Sequence, residues 1–399
     1  MKMPIDVLAL LQEATDVEAA RSVPLCVSVL LDDTAPDDLT AFVRSSFASA
    51  SPQARVSVNY FHNAEVMFDP RSDMAVIAAG MTPDIGAVAA QLREAGIPTL
   101  VVTTLPEHVN AEAAERGFAI PEGDLVAPDI KDGTVVMLSE PIDITKDDAD
   151  KQFAYSAFAD DPFSLEPLGL TDDFAAELSR KMGEWVVAVF RSKRLAFAQA
   201  FDFVRRPLSL ESVRATSMQN AGIGFVVFIP GADFPVMTLN QAKMILQIAA
   251  AYGQEISAQR VKELAAVVGG GFACRAVARQ AVGVVPALGW AIKAGVGYAG
   301  TSAMGHAAIE YFEHGGNMQG VAAIVGEARQ TAADAIAATG AGQAAQDVAA
   351  QAGRHVRDAA FARAKEAVAG APAKAAAKAR EIATSASQAV QNRGTNVVR

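Results

Sequence analysis

Asp32 and Asp33 stand directly after the apolar run 25–31. Adjacent carboxylates at the carboxyl end of a buried parallel strand can hold a divalent cation. The same pair suits a solvated acidic turn that caps the next helix, because carboxylates favour a helix N-terminus. No lysine closes the later run 99–103 to complete a receiver-like or phosphatase-like cation site, so the capping turn is the favoured reading and Asp32 with Asp33 is held as a reserve acidic site. The turn reads Leu31-Asp32-Asp33-Thr34-Ala35-Pro36. It has neither the glycines nor the lysine of a phosphate loop, and two carboxylates would repel phosphate. Nucleotide hydrolysis is therefore not expected, nor any other catalysis, and no cofactor is implied.

Gly295-Val296-Gly297-Tyr298-Ala299-Gly300 matches G-x-G-x-x-G, but it sits inside a long helical pattern, whereas a dinucleotide fingerprint follows a strand and opens a helix. Close helix packing explains it better. Gly295, Ala299, Ala303 and Ala307 repeat every four residues, and Gly297, Thr301 and Gly305 form a second small-residue ladder beside them. Such faces let helix backbones approach closely, in lipid or in protein, and serve helix packing or oligomerisation. The five histidines, His62, His108, His306, His314 and His355, are scattered, so no structural metal site is expected. Cys26 and Cys274 lie far apart without C-x-x-C spacing and read as reduced thiols in a cytosolic setting.

Buried-strand runs at 25–31, 55–61, 74–80 and 97–103, with a short one at 124–126, alternate with helical patterns. The alternation predicts a Rossmann-like or degenerate G-domain-like parallel sheet over 23–128, preceded by an amphipathic helix in 1–22. Residues 129–170 are polar, Pro- and Asp-containing, and form a connecting segment with one strand at 134–138. Thr171 caps a long helix predicted over 172–204, which opens an all-α, small-residue-rich unit over 171–315. Residues 316–399 form an Ala-rich helical tail of low complexity.

The chain of 399 residues is 51% hydrophobic but only 7% aromatic, and its formal charge of −11 is uneven. From 350 to 399 nine basic residues face three acidic ones, so the tail carries +6 and the rest −17. An acidic body excludes nucleic acid as the main partner, because phosphates need a concentrated positive surface. The first residues lack a secretory apolar region, so the chain starts in the cytoplasm. Arg275, Arg279 and Lys293 punctuate the apolar stretch 264–309. The pattern leaves open a helical hairpin whose basic side chains snorkel to headgroups and a tightly packed soluble unit.

Several short motifs in the second half resemble the YcjF-like domain of unknown function, a family of bacterial membrane proteins also fused behind Era-like GTPase domains. They run from Phe228-Ile229-Pro230-Gly231-Ala232-Asp233-Phe234-Pro235 through Thr238-Leu239-Asn240-Gln241 and Tyr252-Gly253 to Arg275, Arg279, Pro286, Gly289 and the stretch 305–312. The resemblance covers about residues 221–312. It implies association with the cytoplasmic face of the membrane and a GTPase-derived neighbour, and it carries no catalytic residue. Where a guanine-reading N-K-x-D would stand, the chain has Thr103-Thr104-Leu105-Pro106. The resulting expectation is a non-catalytic, membrane-associated adaptor or scaffold, a homo-oligomer bound to a membrane or membrane protein and to a further protein partner. The alternative is a small-ligand or nucleotide binder without a phosphate loop, with Mg²⁺ and hydrolysis at Asp32 and Asp33.

Overall fold

A computed structural model describes residues 6–129, 134–137, 140–143, 170–226, 233–270, 289–317, 320 and 327. Five parallel strands, β1 (Leu25–Asp32), β2 (Ala54–Phe61), β3 (Met74–Ala79), β4 (Thr99–Thr103) and β5 (Leu125–Val126), form one sheet in the order β2-β1-β3-β4-β5. Two further short strands, β6 (Thr134–Met137) and β7 (Glu140–Asp143), pair antiparallel. The expected α/β unit with a parallel sheet is therefore present. Strands β1, β3 and β4 bury nearly every side chain, as strands covered on both faces must.

Helices α3 (Ile85–Glu94) and α4 (Pro106–Glu115) cover one face, where Leu30, Ile77 and Val101 meet Val88, Leu92 and Val109. The opposite face carries Val27, Val29, Val76, Leu100 and Val102. It is covered by α2 (Asp37–Ser46) and by α5 (Asp172–Val189), whose Leu178, Met182 and Val186 point inward. Thus α5, assigned from its sequence to the helical half, supplies the missing cover of the sheet. Its Thr171 accepts from the Phe174 amide as expected of a cap.

The single long helix expected over 172–204 is broken twice. Phe190 leaves the helical conformation, α6 (Arg194–Ala200) follows a turn, and Phe201 is extended before α7 (Asp202–Val226) begins. The breaks turn Phe197 and Phe201 into the sheet's core, where Phe47 meets Phe201 edge-on at 5.2 Å. Burial of two aromatic rings, roughly 2–3 kcal/mol each, outweighs the intrahelical hydrogen bonds that the breaks forfeit.

The helical half packs α7 against α8 (Asp233–Ala251) and α10 (Gly289–Glu313), and α9 (Ala258–Gly270) against α8. The first helix, α1 (Val7–Arg21), joins this half and not the sheet that follows it. Leu10 and Ala14 enter its core, Glu13 accepts from Lys243 and Gln247 at 2.8 and 2.9 Å, and Arg21 donates to the Gln254 carbonyl at 2.8 Å. The α/β unit is thereby inserted between α1 and α7. The Ala-rich helical tail expected over 316–399 lies outside the described residues apart from Gly316, Asn317, Gly320 and Glu327.

The two small-residue ladders of α10 separate by burial. Gly297, Thr301 and Gly305 are buried against α7. A Cβ on Gly305 would lie 2.3 Å from Val213 Cγ2, and one on Gly297 would lie 2.5 Å from Met237 Cε and 3.0 Å from the Asn220 carbonyl. Ala299, Ala303 and Ala307 are only half-buried, and the surroundings of Gly295 fall outside the described residues. Gly305→Leu should therefore overpack the α7–α10 contact and cost about 1–3 kcal/mol in urea unfolding. Ala303→Leu should change stability by under about 0.5 kcal/mol. Equal losses in the two variants would show that the buried ladder does not set the approach of α10.

Candidate functional site

In an open doubly wound sheet, ligands bind beyond the carboxyl ends of the strands where the strand order reverses. Here that point lies between β1 and β3, flanked by the turns Asp32-Asp33-Thr34 and Gly80-Met81-Thr82. Asp32 is 1% exposed and both its oxygens are engaged. Oδ2 accepts from the Gly80 amide at 2.8 Å, the Thr34 hydroxyl at 2.8 Å and the Thr82 amide at 3.3 Å. Oδ1 accepts from the Thr82 hydroxyl at 2.6 Å and the Thr34 amide at 3.0 Å. The Thr34 hydroxyl oxygen in turn accepts from the amides of Met81 and Thr82 at 2.7 and 3.0 Å.

These amides are the donors that a bound anion would meet in a ligand-binding α/β fold. The Asp32 carboxylate takes the anion's place. Gly80 lets the loops close on each other, since a Cβ there would lie 2.4 Å from the Thr34 carbonyl and the Ala35 amide. The crevice is thus filled by the chain itself.

The solvated capping turn expected of Asp32 and Asp33 is corrected for Asp32. That side chain is buried and ties β1 to the β3–α3 turn, while α2 begins after Pro36 with no side-chain cap. Asp33 is half-exposed, with His62 Nδ1 at 3.9 Å. The two carboxylates consequently face different surroundings. Among the described residues no group of three or more His, Cys, Asp or Glu side chains is placed to hold a metal ion.

Thr34 and Thr82 supply both hydroxyls, and neither was singled out as a site residue from the sequence. The signal was available: D-x-T after one buried strand and G-x-T after another place two hydroxyls opposite one carboxylate.

A second polar cluster lies between α7, α8 and α10. The buried Asn220 donates to Thr301 Oγ1 at 2.9 Å and to the Met237 carbonyl at 3.3 Å, Gln241 donates to Thr301 at 2.9 Å, and Asn240 donates to Asn220 at 3.1 Å. Thr301 itself donates to the Gly297 carbonyl at 2.7 Å. Two sequence-selected groups thus meet, the ladder through Thr301 and the family motif through Gln241. Asn220 was missed, although a polar residue amid the apolar positions of a buried helix marks such a network.

The remaining motif residues scatter. Asp233 and Pro235 lie in the first turn of α8, Gly289 begins α10, and Pro230, Arg275, Arg279 and Pro286 lie outside the described residues. Gly253 ends α8 at φ +71°. Tyr252 donates to Glu313 Oε1 at 2.9 Å, and burial, then the Glu313 hydrogen bond, push its phenol well above its ordinary pKa. Burial works against the neighbouring Arg206 cation, yet hydrogen bonding to Glu310 and the charges of Glu313 and Glu310 raise its pKa. These are clamps between helices and no proton-transfer group is poised among them.

Comparison with protein-family models, curated proteins and solved structures finds no significant match. Function must therefore be argued from the geometry and from the motifs of the sequence.

Asp32→Ala would strip five donors of their acceptor in a buried place. Leaving even two of them unpaired should cost at least about 2 kcal/mol, whereas Asp33→Ala should stay within about 0.5 kcal/mol. Urea midpoints of the two variants check this, and a small loss at Asp32 would contradict the latch.

Proposed function

We propose that the chain is a non-catalytic adaptor or scaffold. Its α/β half presents a surface to a protein partner, and its helical half and basic tail hold it at the cytoplasmic face of a membrane. The observation that carries the non-catalytic part is the occupation of the switch-point amides by Asp32. A nucleotide phosphate entering there would have to displace a buried carboxylate and would meet its charge at close range.

Membrane docking is supported by the YcjF-like motifs and by the basic tail. Among the described residues no helix is long and apolar enough to cross a membrane. The tail's basic residues contribute about 1 kcal/mol each near anionic lipid, an attraction screened beyond roughly 8 Å at physiological salt. The half-buried ladder of Ala299, Ala303 and Ala307 leaves a face where a further helix, from another copy or another protein, fits closely.

A second reading, small-ligand binding, is favoured by one observation. A cleft of about 930 Å³ lies between α1, the loop after α2 and the α6–α7 turn, lined by Arg21, Ser45, Ser51, Gln199 and Arg205 among others. Gln199 Oε1 is buried there without a hydrogen-bond partner. Its arginines, however, are already held by Glu18 and Asp202, each at 2.7 Å.

Two measurements test the proposal. In thermal unfolding, GTP, ATP and Mg²⁺ should leave Tm unchanged, whereas a ligand at about a hundred times its Kd would stabilise the fold by about 2.7 kcal/mol. A clear rise with any of them favours the second reading. In flotation, the full chain should bind anionic vesicles at low salt and leave them at high salt. Equal binding to neutral vesicles, or none to either, would overturn membrane docking.

A further inference from the structure

Strand β2 is an edge of the sheet. An edge strand presents unpaired backbone groups that can join another strand. Leu25 donates to the Gln53 carbonyl and Asp33 to the Phe61 carbonyl, so the odd-numbered residues of β2 turn their backbone groups toward β1. Those of Val56, Val58 and Tyr60 consequently face the open edge, where among the described residues only the outward Ala54 N–H at the strand's start is bonded, to the Ser51 carbonyl. The side chains of the same three residues share the sheet face that α2 and α5 cover further in. They are left at its rim, with Val58 41% and Tyr60 60% exposed. An eight-residue strand with an open edge and exposed apolar side chains lacks the usual protections of proline, bulge or inward charge.

We propose that β2 pairs antiparallel with β2 of a second copy of this chain, about a two-fold axis at Val58, to make one continuous sheet of ten strands. This registration sets Val58 against Val58 and Val56 against Tyr60, all with outward backbone groups, and matches an apolar rim to itself. The other face sets Ser57 against Asn59. Like charges never stand opposite each other, a condition that favours cross-strand pairing. Arg55, the only charged residue of β2, is 70% exposed and stands 3.8 Å from Asp69 of its own chain. The pairing carries it to the other copy's 61–65 end, where Asp33 and Glu65 lie and no Lys or Arg does. Two-fold symmetry makes that complementarity occur twice. The surface is separate from the Asp32 latch and from the membrane-facing half, so it does not depend on the adaptor reading.

The test uses the full chain in solution. Sedimentation should give a concentration-dependent dimer. Val58→Pro removes only an outward N–H and should reduce the mass to that of a monomer, with far-UV circular dichroism unchanged. Val58→Lys, which keeps the backbone donor but charges the axis, should do the same, so that a folding failure in one variant leaves the other to decide. A wild-type monomer at high-micromolar concentration, or a dimer that survives both Val58→Pro and Val58→Lys, would each overturn the pairing. Self-association through the α10 face alone would appear as the second of these.

Discussion

A carboxylate buried at the end of a strand must be satisfied by several donors, because an unpaired charge in a protein interior is costly. Asp32 imposes that requirement on the carboxyl edge of the sheet. It draws in three backbone amides and two hydroxyls from the β1–α2 and β3–α3 turns, and it needs Gly80 so that the turns can meet. The ligand crevice that a doubly wound sheet offers is consumed by this internal bonding. The adaptor role proposed for the α/β half rests on it, since a closed crevice would leave the outer surfaces to act.

The second constraint is the other sheet face. Helix α2 alone cannot cover β1, β3 and β4, and α5 with Phe197 and Phe201 completes the layer. The link between the sheet and the helical half is therefore a shared hydrophobic core. Closure is reinforced from the far end of the chain, where α1 docks on α8 and α9 through Leu10, Ala14 and the Glu13 contacts. Movement of the helical half would disturb the layer that supports β1, which couples the two halves mechanically.

Alternation of buried runs and helical patterns made the parallel sheet legible, because strands buried on both faces leave continuous apolar runs. Strand order and the owner of each covering helix were not legible. They depend on which surfaces bury most area, and α5 and α1 each packed across the boundary that composition suggested. Asp32 was visible as chemistry and misread in setting, because three of its five donors come from Gly80 and Thr82, about fifty positions away. The small-residue ladders were legible as close packing. Only the structure separates Gly297, Thr301 and Gly305, spent within the chain, from the half-buried Ala299, Ala303 and Ala307.

The most direct test of the closed crevice is hydrogen exchange at the Thr34, Gly80 and Thr82 amides, read residue by residue with and without GTP, ATP and Mg²⁺. The Asp32 latch requires slow exchange at all three in the free protein, with rates that do not change when the nucleotides are added. Fast exchange in the free protein, or protection that rises on adding a nucleotide, would mean that the crevice is open and that the α/β half binds a ligand there.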